Sequence, residues 1–361
     1  MLRPLHRSAQ EVRRGAHGHA GLWFDKFCNT WPDDDSWSLR SRDGQNPKHE
    51  WLKTLVGSVG DPGQLTEARL RLARVVRAAG GALDVFRAES RFVTGLGRAH
   101  PVENGFAFHP TLGVPFLPGS SVKGLVRAWA RDEGVTEDEI TRLFGAAGDQ
   151  GREGSFIFFD ALPVAPVALE VDVLTPHSAA WTPNDPPGDW CSPVPVPFLV
   201  TARGARFLFG VAPRPGAEGD LDRVRDYLTN ALKFEGAGAK TAVGYGRFAE
   251  VSDETRKLVE LLARDALERA RDEAMRTPSG RIRVEVEKAN EDQLAELIRR
   301  YLEKGELTVP AERAVFAAAV RELRPDWLAS WRKKQKVEKT TRPSGDKLKA
   351  RAKLVDGEPG G

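Results

Sequence analysis

Apolar positions recur every three or four residues over 64–79, where Leu65, Ala68, Leu72, Val75, Val76 and Ala79 share one face, and this spacing predicts a helix. Arg69, Arg71, Arg74 and Arg77 fall mostly off that face, on a side turned to solvent or to a partner. The stretch 82–94 is β-compatible, with Leu83, Val85, Phe92 and Val93 flanking polar residues, and Gly95-Leu96-Gly97 reads as the turn that ends it. Pro118 and Gly119 break the segment 113–124. Ser120 or Ser121 can then cap a helix whose apolar face holds Leu125, Val126 and Trp129. A second helix is predicted over 136–144, with Glu139 three residues after Thr136 as in a capping box. Residues 154–160 read as a buried strand and 169–174 as another. Residues 198–201 and 205–211 read as a hairpin turning at Arg203-Gly204. Leu221, Val224, Leu228 and Leu232 line one face of a helix over 221–233, and 246–251 reads as a last strand. The order is strand, helix, strand, long loop, strand, helix, strand, which is the split β-α-β pattern of a ferredoxin-like fold with an insertion.

The long loop, 162–197, holds nine of the chain's 24 prolines and cannot be one regular element. A loop of this length inside a compact domain points to function. Trp181 and Trp190 within it suit stacking on bases as well as packing beneath the loop. After Val251 the composition shifts to long charged helices, over 254–275, 291–303 and 311–323, broken at Thr277-Pro278-Ser279-Gly280. From 331 to the end, ten Lys and Arg face four Asp and Glu with few apolar residues, which predicts a basic, disordered tail. Four regions follow: an N-terminal arm and helix (1–81), a central domain (82–252), a helical extension (253–330) and the tail (331–361).

With 361 residues the chain has room for two domains or for one with a large extension. A formal net charge of +3 does not mark a nucleic-acid binder, so any basic surface must be local. Cys28 and Cys191 lack metal-ligand spacing and read as reduced thiols. There is no apolar run of about 18 residues and no h-region behind the basic N-terminus, so a cytoplasmic protein without membrane contact is expected. Residues 1–21 carry Arg3, Arg7, Arg13 and Arg14, a basic arm or a loose terminus. His17 and His19 lack a third metal ligand, whereas Asp33-Asp34-Asp35 is a carboxylate cluster that can hold a cation or simply form a solvated turn.

The chemistry concentrates in 234–248, FEGAGAKTAVGYGRF, where Gly236, Gly238, Gly244 and Gly246 surround Lys240, Thr241, Tyr245 and Arg247. Glycines permit positive φ, successive amides can form an anion-binding nest, and lysine adds a point charge suited to phosphate. A phosphate-binding loop and a plain glycine-rich turn both fit. A nucleotide P-loop is excluded because Ala239, not glycine, precedes Lys240 and the order is helix, loop, strand. The same order excludes a dinucleotide fingerprint. Gly244-Tyr245-Gly246 resembles the centre of the RNA-recognition-motif signature, but Val243 and Arg247 stand where a basic and an aromatic residue belong. Lys123, in the first turn of its helix, is unfavourable beside the positive end of the dipole unless an anion sits there or the side chain points to water.

The stretches GVPFLPGSSVKGLVRAW (113–129), LFG (143–145), SFIFFDALPV (155–164), LEVDVLTPHSAAW (169–181) and GAGAKTAVGYGRF (236–248) carry a family resemblance. The chain resembles the RAMP superfamily of CRISPR-associated proteins, and within it the sixth RAMP subunit type of the Cmr (type III-B) effector complex. The resemblance covers roughly 80–251; residues 1–81 match loosely around 21–27, and 253–361 lie outside it. It implies an α+β, ferredoxin-like (RRM-like) RAMP domain with a long proline-rich insertion and a helical C-terminal extension. It implies a non-catalytic subunit that binds the backbone of a CRISPR RNA guide toward its 3′ end, with target RNA paired to that guide. The insertion would then be a thumb that wedges into the guide–target duplex. The neighbours implied are the backbone RAMP, the capping RAMP and the small helical subunits. No cofactor or metal is implied. Candidate RNA contacts are Ser120, Ser121, Lys123, Arg127, His177, Gly236, Gly238, Lys240, Thr241, Tyr245 and Arg247. An RNA-processing or target-cutting RAMP endonuclease is the alternative, with His109 and His177 as candidates for acid–base work.

Overall fold

The computed structural model describes residues 12–15, 18–31, 39, 46–100, 102–146, 151, 153–175, 195–333 and 345–357. The chain divides into two compact units, Met1–Val259 and Glu260–Gly361.

The first unit opens with α1 (Ala20–Lys26), α2 (Pro47–Lys53), strand β1 (Gly57–Val59), α3 (Pro62–Ala78) and β2 (Ala82–Ala88). Two short strands, β3 (Ala99–His100) and β4 (Glu103–Asn104), precede α4 (Gly119–Asp132) and α5 (Glu137–Phe144). Five strands follow: β5 (Phe156–Phe158), β6 (Leu162–Pro163), β7 (Val167–Leu174), β8 (Val196–Thr201) and β9 (Arg206–Pro213). Helix α6 (Leu221–Asn230) and strand β10 (Phe248–Glu250) complete the unit's sheet-and-helix body.

The main sheet runs β10-β2-β9-β5, antiparallel at each step, with β6 also on β9. Phe86, Phe207, Phe209 and Phe248 from this sheet form one buried core with Val122, Val126 and Ala130 of α4, Leu143 and Phe144 of α5, and Val224 and Leu228 of α6. Alternation explains the choice of residues, because Asp84, Phe86 and Ala88 of β2 share the face opposite to Leu83 and Val85. Asp84 is buried and accepts two hydrogen bonds from Arg225 of α6, at 2.8 and 3.0 Å. Helix α3 packs against β2 and β9. It starts at Asp61, whose carboxylate accepts from the Gln64 amide at 2.8 Å, with Pro62 as its first residue.

A second sheet, β1-β7-β8, is also antiparallel. Its core joins Val59, Val167, Leu169 and Leu199 to Trp23, Phe24, Trp51 and Leu52 of the N-terminal helices. Trp23 stacks on Phe27 at 5.0 Å and against Trp51 at 5.9 Å. The N-terminal region therefore supplies an edge strand and a core face to this sheet.

Two expectations are corrected. The hairpin over 198–211 does not form: β8 pairs with β7, while β9 pairs with β2, β5 and β6. Residues 202–205 instead carry the chain between sheets, with the Gly204 amide donating to Ala88 O at 2.8 Å. Sequence adjacency favours the hairpin, but β9 gains partners on both edges elsewhere. Second, neither Ser120 nor Ser121 caps α4. Pro118 occupies the N-cap without a side-chain bond, and Asp160 accepts from the Gly119 amide at 2.7 Å. Within 162–197 the expected strand over 169–174 is present as part of β7, joined by β6 and the start of β8, while Trp181 and Trp190 lie outside the described residues.

The second unit continues helix α7 (Ser252–Met275), within which the division falls, and adds α8 (Pro278–Lys288), α9 (Glu291–Ile298), α10 (Pro310–Leu323), α11 (Pro325–Lys333) and α12 (Gly345–Asp356). Ile282, Val286, Leu294, Ile298, Phe316, Val320 and Trp331 form its core. The expected disordered tail is corrected here, because α12 buries Leu348, Ala352 and Val355 in that core. Arg351 on the same helix is buried and donates to Glu303 at 2.8 Å. Few apolar residues suffice when they recur on one helical face. Among the described residues no helix is long and apolar enough to cross a membrane.

Helices α5 and α6 are joined by charge. The Thr136 hydroxyl accepts from the Glu139 amide at the start of α5, but the Glu139 carboxylate does not close a capping box. It accepts instead from Arg142 Nε at 2.8 Å and Nη2 at 2.6 Å, and from Arg223 of α6. Hydrogen bonds from Arg142 and then Arg223 hold the Glu139 carboxyl down at about 2. A depressed folded-state value means stability that is complete above the ordinary carboxylate range and is lost as pH falls from about 4.5 toward 2. Glu139→Gln is expected to cost about 1 kcal/mol at pH 7, after solvent screening of this partly exposed network. Denaturant unfolding of both proteins at pH 7 and pH 3 checks this: the gap between them should narrow at the lower pH.

Candidate nucleic-acid interface

The glycine-rich loop is shaped by its own backbone. Helix α6 runs into a π-helical turn, Ala231–Glu235, which ends at Gly236 with φ +81°. Gly238 (φ +88°), Lys240 (φ +62°), Gly244 (φ +93°) and Gly246 (φ +70°) follow in the left-handed region. The Ala239 amide donates to Val93 O at 2.8 Å, the Gly246 amide to Arg91 O at 2.8 Å, and the Ala237 amide to Gly246 O at 2.8 Å. This lacing brings backbones so close that a Cβ on Gly238 would stand 2.1 Å from Val93 O, and one on Gly246 1.9 Å from Ala237 O. Gly238 is therefore required by the protein's own chain.

Beyond Gly238 the loop turns outward. Thr241–Val243 is a short 3-10 turn. Among the described residues, no acceptor faces the amides of Gly238, Thr241 or Ala242. A cleft of about 470 Å3 lies between this loop, the loop 94–97 and the start of α4. Ser121, Gly236, Gly238 and Thr241 all line it, so four of the sequence candidates meet in one place. Thr94, Gly95 and Gly97 complete the wall; in sequence they looked like an ordinary turn, and only the sheet brings them opposite the loop. A Cβ on Gly95 would stand 2.7 Å from the Ala107 amide, at φ +71°.

The other candidates are placed differently. Ser120 is exposed and Lys123 half-buried on α4, and neither lines the cleft. Arg127 lies toward α5, where its charge acts on Glu137. Lys240 holds its ammonium 5.5 Å from the centre of the Phe198 ring. Arg247 donates from its side chain to Thr241 O at 3.4 Å and from its amide to Ser90 Oγ at 3.0 Å, beneath Gly236. His177 lies outside the described residues, as do Asp33, Asp34 and Asp35. Glu235, not foreseen, also lines the cleft; burial, and then neighbouring Asp132, push its carboxyl above the usual range.

Tyr245 is tied down. Its hydroxyl donates to Asp172 of β7, which also accepts from Arg91 at 2.7 Å, while Arg91 reaches Glu170 at 3.0 Å. Its ring leans on Phe198 at 6.2 Å. Burial and the hydrogen bond to Asp172 push the Tyr245 phenol up to about 12. Burial alone would raise the Asp172 carboxyl, but the bonds from Tyr245, the Val173 amide and Arg91 outweigh it and hold it below the usual range. This network fixes the second sheet to the glycine loop.

His19 and His109 are both engaged in hydrogen bonds. His19 Nδ1 accepts from the Leu22 amide at 2.9 Å, capping α1, and its Nε2 lies 2.9 Å from Pro110 O. His109 Nδ1 accepts from the Thr111 and Leu112 amides at 3.3 Å, and burial lowers its pKa. It lines a different groove, of about 840 Å3, beside α3.

The site is thus an antiparallel sheet carrying a helix-to-strand glycine loop, with a cleft between that loop and a second helix. Residues 85–249 match the RAMP superfamily model. The chain is similar to CRISPR system Cmr subunit Cmr6 of Pyrococcus furiosus, 28% identical over 46% of this chain and 66% of that protein. It is also similar to CRISPR system CMR subunit Cmr6 of Saccharolobus solfataricus, 29% identical over 40% of this chain and 48% of that one. The chain thus spans less than two thirds of either relative. Among solved structures, a type III-B Cmr-beta complex bound to cognate target RNA contains a chain 24% identical to this one, with TM-score 0.47, over 56% of this chain and 71% of that one. The crystal structure of Cmr6 from Pyrococcus furiosus gives 26% and 0.33, over 47% and 97%. Both are partial superpositions.

Gly238→Ala should destabilise the first unit by about 2–3 kcal/mol, combining a positive φ with a backbone collision. Chemical denaturation in the absence of any RNA measures it. A wild-type midpoint would mean that the contact with Val93 O relaxes freely.

Proposed function

We propose that the chain is a non-catalytic subunit of a type III-B Cmr interference complex and that it binds the backbone of a CRISPR RNA guide. The observation that carries this reading is the cleft in which Ser121, Gly236, Gly238 and Thr241 converge, rimmed by backbone amides without described acceptors. Lys240 stands in the same loop, with its ammonium on the Phe198 ring. Such a site suits phosphate and ribose, which are the same at every position of a guide whose bases vary. The names of the relatives support membership of a Cmr complex.

The topology supports the same reading. The strand order β10-β2-β9-β5, with α4 and α5 between β2 and β5 and α6 between β9 and β10, is a ferredoxin-like arrangement into which β6, β7 and β8 are inserted. The tip of β7 and β8 leads into residues 176–194, the segment proposed as a thumb toward the guide–target duplex. Contact with the backbone RAMP, the capping RAMP and the small helical subunits, on the 3′ side of the guide, belongs to this proposal. A nuclease role lacks support from His109, whose Nδ1 is engaged by two amides.

Lys240→Ala is expected to weaken single-stranded RNA binding about equally for all sequences and to reduce the slope of log affinity against log salt by about 1. Fluorescence anisotropy with several unrelated guides over a salt series measures this. The wild-type protein, with or without Mg2+, is expected to leave labelled RNA uncut. Sequencing of RNA that copurifies with the native assembly should return CRISPR guides; random cellular RNA would refute the reading.

A further inference from the structure

An aromatic pair stands beside the cleft and outside the buried core. The π-helical turn Ala231–Glu235 buries Ala231 and Leu232 but carries Phe234 outward, 53% exposed. Trp129 of α4 backs it, with ring centroids 5.8 Å apart and planes 17° from parallel. Lys233 Nζ stands 4.8 Å from the centre of the Phe234 ring. The pair is continuous with the cleft on both sides, since Glu235 and Ala128, the chain neighbours of Phe234 and Trp129, both line its wall.

We propose that Phe234, backed by Trp129, is a stacking platform for one base of the RNA strand whose phosphates occupy the cleft, with Lys233 turning from the ring to the flanking phosphate. This rests on the RNA-backbone reading above and adds a subsite to it. A π-turn inserted at the end of a helix is a device often found at functional sites, and here it sets an aromatic ring on the surface. The backing ring holds Phe234 in one orientation, so little side-chain freedom remains to be lost on binding. Every base has a π face, so such a platform tolerates any guide sequence, in keeping with backbone recognition. A protein helix would instead ask for a contiguous apolar stripe; a single ring between a cation and an amide-lined cleft matches the dimensions and chemistry of one nucleotide.

The test compares wild type, Phe234→Ala and Phe234→Trp by anisotropy with a single-stranded RNA of mixed sequence and with the same strand made abasic. Thermal unfolding of each variant accompanies it. Phe234→Ala should bind the mixed RNA about 10-fold more weakly, within the range for loss of one base–aromatic stack, with an unchanged salt slope. The tryptophan variant should bind as wild type, and the abasic strand should not distinguish the three proteins. Equal binding of the mixed RNA by wild type and Phe234→Ala would overturn the platform while leaving the backbone site standing. Equal losses on mixed and abasic RNA would also overturn it, since no base is then involved. If wild type binds neither strand, the RNA reading itself fails and the subsite falls with it.

Discussion

The close approach of residues 237–246 to residues 91–93 is the constraint on which the rest of the first unit's site depends. Two hydrogen bonds, from the Ala239 amide to Val93 O and from the Gly246 amide to Arg91 O, draw the loop against the end of the segment that follows β2. A Cβ at 238 would collide with Val93 O and one at 246 with Ala237 O within the loop itself, so glycine is required at both on steric grounds. From there the loop turns with Lys240 in the left-handed region and Thr241 at the start of a single helical turn. The cleft against α4 is a consequence of that path.

Around this contact the fold is organised as two sheets that share the chain between 201 and 206. Asp172 is the point where the second sheet meets the loop, since it accepts from both Tyr245 and Arg91. A residue that pattern analysis would assign to recognition is thus a brace, and its partner carboxylate anchors the strand that leads toward 176–194. Asp160 has a similar double reading: it belongs to the segment after β5, yet it satisfies the first amide of α4 and lets Gly119 pass 2.2 Å, by its virtual Cβ, from Phe158 O.

The electrostatics follow the same economy. The formal net charge is only +3, and among the described residues several arginines are paired: Arg142 and Arg223 with Glu139, Arg225 with Asp84, Arg91 with Asp172. The RNA-backbone role proposed above would therefore draw on a few local donors, among them the backbone amides of the loop. Backbone amides suit phosphate oxygens, contacts that carry no sequence information.

The sequence by itself determined the helices with strong apolar periodicity, the strands of the main sheet and the glycine loop as the place where chemistry concentrates. Those signals are local: a 3.6-residue repeat over 64–79, alternation in 82–88, and glycines at fixed spacing after an amphipathic helix. The resemblance to the RAMP superfamily was legible for the same reason, because its motifs are short and contiguous. Only the tertiary structure decided which strands pair, because hydrogen-bond partners across a sheet are set by the competition among all available edges; β8 chose β7 over its neighbour in sequence. It alone decided that Ser121 faces the cleft while Ser120, Lys123 and Arg127 do not, since helix rotation depends on what α4 packs against. It also turned the basic tail into a packed helix, because three apolar residues at 348, 352 and 355 find a core already built by α8 to α11. A composition average cannot register that, whereas one buried face can.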